Sequence, residues 1–72
     1  MMKSCRIANN IRKLRFETGE MTQQQLADEI GMTRQTIVAI EKGKYSPSLE
    51  AAFRIARVFD VPLHAVFSYV EE

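Results

Sequence analysis

The residues with the most specific chemistry in this sequence lie between Arg34 and Lys42. Laid on a helix that advances about 100° per residue, Gln35, Val38, Ala39 and Lys42 fall opposite Ile37 and Ile40, with Arg34 on the flank of that side near the N-terminus. That outer side carries a guanidinium, a planar amide, an ammonium and two small apolar groups, with no acid. Arginine forks onto guanine, glutamine onto adenine, and small apolar groups touch a thymine methyl in the major groove of a duplex. On an isolated helix the same residues would be an ordinary mixed surface, so the reading depends on what precedes them.

What precedes them is a helix and a sharp turn. Thr22 with Gln25 three residues on is a capping-box signature, which predicts a helix start. Leu26 and Ile30 then share one face, and Ala27 beside them is small enough to let a second helix approach closely. Gly31 suits the left-handed conformation that ends a helix, Thr33 is an N-cap for the next, and Gly43 is its stop. Helix, short turn and helix together make a helix-turn-helix unit.

The rest of the chain predicts further helices. Asn9 or Asn10 can cap a first helix that turns Ile11 and Leu14 inward and ends near Gly19. After the loop GKYSPS, Ser48 caps a fourth helix with Leu49, Ala52, Phe53, Ala56 and Phe59 on its packed stripe. Ile55 and Val58 widen that stripe, so this helix is expected at the centre of the core, with its aromatics packed. Asp60-Val61-Pro62 breaks it, and Pro62 can start a short fifth helix. Residues 3–8 alternate weakly, as a short strand or a frayed lead-in, and Phe67 to Val70 is the available partner.

Composition narrows the function classes. Seventy-two residues with one Cys and one His allow no internal disulfide and no Cys/His zinc site. They also give no convincing nucleophile–base pair, which argues against an enzyme. Cys5 reads as a small apolar filler or an idle thiol. No cofactor or small-molecule ligand is expected. No apolar run approaches the ~20 residues of a membrane span, and a cytoplasmic protein is expected. The formal net charge of +1 says less than its distribution. Bases cluster at Lys3, Arg6, Arg12, Lys13 and Arg15 and again at Lys42 and Lys44, while Asp28, Glu29, Asp60, Glu71 and Glu72 lie elsewhere.

The run QQQLADEIGMTRQTIVAIEKGKYSPSL resembles the XRE family of Cro- and phage-repressor-like DNA-binding domains. The matching residues are Gln23, Leu26-Ala27, Gly31, Thr33-Arg34, Ile37, Ile40-Glu41, Gly43 and Pro47-Ser48-Leu49, with Ile11, Leu14 and Arg15 upstream and Ile55-Ala56 and Val61-Pro62-Leu63 downstream. The resemblance implies an all-α, compact five-helix lambda-repressor-like domain, whose termini could add short β-strands. It covers about residues 9–67; residues 1–72 are read as one helix-turn-helix domain, with 67–72 a tail contributing to dimerisation. Within it, Gln23 takes the family's phosphate-contact position, and helix N-termini do attract phosphate. Thr33 can divide its hydroxyl between capping and a phosphate. Lys44 and Tyr45 sit where the family touches the DNA backbone, although the Tyr45 ring could instead pack on its own loop. Arg15 is expected to pair with Glu41, a structural contact holding the reading helix at its angle.

Leu63, Val66, Phe67, Tyr69 and Val70 are too many apolar groups for the tail of a monomer. Leu63 and Val66 are expected to close the core. Leu63, Phe67, Tyr69 and Val70 are the candidate contacts of a homodimer, which would set two reading helices ~34 Å apart on double-stranded DNA. His64 is expected to be an exposed helix residue. The function expected is a sequence-specific regulator, a repressor that occludes a promoter at a palindromic operator. The alternative is an antitoxin or co-regulator whose main partner is another protein.

Overall fold

The structure, a computed structural model, describes residues 6–70. In chain order it contains β1 (Ile7–Asn9), α1 (Ile11–Glu17), α2 (Gln23–Ile30), α3 (Arg34–Glu41), α4 (Leu49–Phe59), α5 (Leu63–Val66) and β2 (Phe67–Tyr69). The expected five helices are present, and the termini add the short strands. β1 and β2 pair antiparallel, with Ile7 opposite Tyr69, Ala8 opposite Ser68 and Asn9 opposite Phe67. Cys5 and the last two residues of the tail lie outside the described residues.

Local signals act as their residue types require. The Thr22 hydroxyl accepts from the Gln25 N–H at 3.0 Å, and the Gln25 side chain accepts from the Thr22 N–H at 2.8 Å, completing the capping box. Thr33 and Ser48 cap α3 and α4 by the same i to i+3 bond. Gly31 closes α2 at φ 72°, a conformation that would strain a residue bearing a Cβ. At α1 the residue flanking the helix is Asn10, yet the cap is supplied by Asn9, whose Oδ1 accepts from the Ile11 N–H at 3.1 Å. The Asn10 amide instead donates to the Ala65 carbonyl and ties α1 to α5.

Ile11, Leu26, Ala27, Ile30, Ile37, Ile40, Ile55, Ala56, Phe59 and Val66 form the core. Burying aliphatic side chains of this size contributes about 1.5–3 kcal/mol each. The expected stripe of α4 needs correction. Ala51, Ala52, Ile55, Ala56 and Phe59 are buried, whereas Leu49 is 68% and Phe53 50% exposed. The apolar arc of this helix is wider than the core can cover. α2 packs along the flank of α4 where Arg54 donates to the Ile30 carbonyl, which draws Ala51 and Ile55 inward and leaves Leu49 and Phe53 on the far side. At the C-terminus Val66 is fully buried, Leu63 and Phe67 are half-buried, and Tyr69 and Val70 are exposed. Among the described residues, no helix is long and apolar enough to cross a membrane.

Candidate nucleic-acid interface

α3 is held from three directions. Its inward side is anchored by Ile37 and Ile40, which are 0% and 2% exposed. Its N-terminus follows α2 through the residues Gly31 to Thr33, and the Met32 N–H bonds back to the Ala27 carbonyl at 2.9 Å. Its C-terminal turn is held by side chains from distant segments. Arg15 of α1 donates through Nε to Glu41 Oε2 at 2.7 Å and through Nη2 to Oε1 at 3.2 Å. The same guanidinium donates through Nη1 to the Met21 carbonyl at 2.8 Å. The two paired side chains are only 14% and 10% exposed, so water screens them little. Asn9 of β1 donates to the Ile40 carbonyl at 3.0 Å, linking the terminal sheet to the end of α3.

Anchored in this way, α3 turns Arg34, Gln35 and Lys42 to solvent, with Val38 and Ala39 half-buried between them. No carboxylate stands free on that stripe, because Glu41 is taken by Arg15. Lys44 and Tyr45 follow in the next loop, both exposed, with Tyr45 at 48%. The Lys44 N–H bonds to the Ala39 carbonyl at 2.9 Å, which folds this loop back against the end of α3.

Gln23 and Thr33 have partners inside the protein. Gln23 donates through Nε2 to Glu41 Oε1 at 3.2 Å, so it joins the ion pair that orients α3. An amide has two donor hydrogens, and the second stays available. The Thr33 hydroxyl caps α3 and meets the Thr36 hydroxyl at 2.9 Å. Sequence reasoning missed two residues of this face. Arg12 and Phe16, four apart on α1, line an open groove of about 810 Å³ together with Arg34, Val38 and Lys42 of α3. Phe16 is 70% exposed, and its spacing from Ile11 and Leu14 held no sign of where α3 would lie.

A helix of this kind, its turn anchored and its outer face basic and free of acid, is the geometry of a duplex-reading unit. The helix-turn-helix family model matches residues 11–66, which spans every helix of the fold. The chain belongs to the XRE-type helix-turn-helix family. An uncharacterized HTH-type transcriptional regulator of Archaeoglobus fulgidus is 48% identical over 62 residues, covering 86% of this chain and 87% of the relative. The cryptic phage CTXphi transcriptional repressor RstR of Vibrio cholerae is 36% identical over 61 residues, covering 85% of this chain and 54% of RstR. Among solved structures, the restriction-modification controller protein C.AhdI from Aeromonas hydrophila superposes with a TM-score of 0.69 at 27% identity, covering 76% of this chain and 78% of C.AhdI. Membership of the helix-turn-helix family makes this chain a transcriptional regulator with a DNA-binding fold. Other relatives, from Methanocaldococcus jannaschii and Bacillus subtilis, are likewise HTH-type transcriptional regulators.

Proposed function

We propose that this chain is a sequence-specific repressor that acts in the cytoplasm as a homodimer on a two-fold symmetric operator. The observation that carries the reading is the placement of Arg34 and Gln35: both exposed, at the start of a helix whose opposite side is wholly buried. α3 enters the major groove, where Arg34 and Gln35 meet base edges and Val38 and Ala39 meet thymine methyls. Lys42, Lys44 and Tyr45 contact the sugar–phosphate backbone, joined by Thr33 and the second amide hydrogen of Gln23. Arg15 and Glu41 set the angle of α3 without touching DNA. Repression is favoured by the likeness to RstR, itself a transcriptional repressor.

The dimer contact is assigned to Leu63, Phe67, Tyr69 and Val70. The 63% exposure of Tyr69 and 47% of Val70 leave apolar surface that a second copy would cover. Leu49 and Phe53 are further exposed apolar residues, on α4. The same surface suits the second reading, in which another protein is the main partner. A monomer by sedimentation at micromolar concentration would turn the assignment to that reading.

The decisive experiment is selection of bound sites from random duplexes. The expected product is an inverted repeat with half-sites about 10 bp apart, centre to centre. Recovery of single half-sites would remove the dimer, and no enrichment would remove sequence-specific binding.

A further inference from the structure

We propose that α1 is a second nucleic-acid contact element, in which Arg12 and Phe16 grip the sugar–phosphate strand beside the major groove occupied by α3. This rests on the reading above, that α3 enters that groove. The major groove is ~12 Å wide and walled by the two phosphate strands. An element packed beside the reading helix and open on the same side therefore meets a strand, not a base. α1 is such an element. Arg12 and Phe16 share one continuous groove with Arg34, Val38 and Lys42, the α3 stripe that faces the duplex.

The charge of the groove fits that occupant. Its Glu41 carboxylate is spent on Arg15 and Gln23. Among the described residues Arg12, Arg34 and Lys42 make no ion pair, and Glu20 is the one unpaired acid on the lining. Three unpaired cations set about one cleft repel one another until an anion enters, and a phosphodiester chain supplies anions at regular spacing. Phe16 adds what charge cannot. Among the described residues the Phe16 ring is left 70% exposed within a cationic groove, and the C–H face of deoxyribose is the apolar part of a nucleic-acid backbone. Arg12 thus takes a phosphate and Phe16 the adjoining sugar.

The test measures affinity of the full chain for its selected duplex and for a scrambled one across a salt series. Arg12→Ala is expected to weaken both by about tenfold and to lower the salt slope by about one. Arg12→Lys should restore the slope. Phe16→Ala should weaken both duplexes about threefold with the slope unchanged, since no charge is lost. Glu20→Gln should strengthen both. Both groove side chains are exposed, so thermal midpoints should stay with the parent. A parent that binds its duplex while Arg12→Ala and Phe16→Ala match it in affinity and slope would overturn the inference and leave the reading of α3 intact. Variants that bind DNA normally yet lose regulation would also overturn it, assigning the groove to a protein partner. A parent that binds no duplex would instead overturn the reading on which the inference rests.

Discussion

α3 and α4 are both amphipathic helices with apolar residues on more than one side, yet their outer faces were finished in opposite ways. α3 keeps its large apolar groups, Ile37 and Ile40, inside and shows polar or small residues outside. α4 buries three alanines together with Ile55 and Phe59, while Leu49 and Phe53, groups as large as those two, remain in water. The contrast teaches that exposure of apolar surface is not uniform sloppiness in a small fold. The helix proposed to read a duplex is held by ionic and amide contacts at its C-terminal turn, whereas α4 retains exposed apolar surface of the kind suited to association.

The most severe way to break this contrast is to release α3. Glu41→Ala leaves Arg15 charged and nearly buried, and is expected to cost about 3–5 kcal/mol in urea unfolding. Next comes the register of α4. Ile55→Ala should cost about 2–5 kcal/mol by opening a cavity in the core. Phe53→Ala should leave monomer stability within about 0.5 kcal/mol, as read by urea unfolding, and, if α4 joins the proposed dimer contact, shift its dissociation in sedimentation. Equal losses for the two would return Phe53 to the core stripe. On the outer face of α3, Gln35→Ala should cost about 1–3 kcal/mol at one base position, whereas Lys44→Ala should weaken all duplexes alike. The smallest effect expected is at the cap: Thr33→Ala should lower stability by about 1 kcal/mol, visible as a modest drop in thermal midpoint.

Much of this molecule was legible from neighbours in the chain. The capping box of Thr22 and Gln25, the turn at Gly31, and the caps at Thr33 and Ser48 each act within four residues, so residue type alone specified them. The inward side of α3 followed from the spacing of Ile37 and Ile40. The Arg15–Glu41 pair came from the family resemblance rather than from spacing, and the structure brings the two together at 2.7 Å.

Other features depend on partners far along the chain. Gln23 looked like a free phosphate donor until the fold carried Glu41 within 3.2 Å of it, 18 residues away. Asn9 read only as a cap, while it also holds the Ile40 carbonyl 31 residues away. Thus the local hydrogen-bond chemistry of the amino acids placed the helix ends and the turn. Which side of α4 would be covered, and which α1 side chains would stand beside α3, awaited the docking of whole helices. An apolar arc wider than its contact can be buried in more than one rotation, and only the competing surfaces of the neighbouring helices select among them.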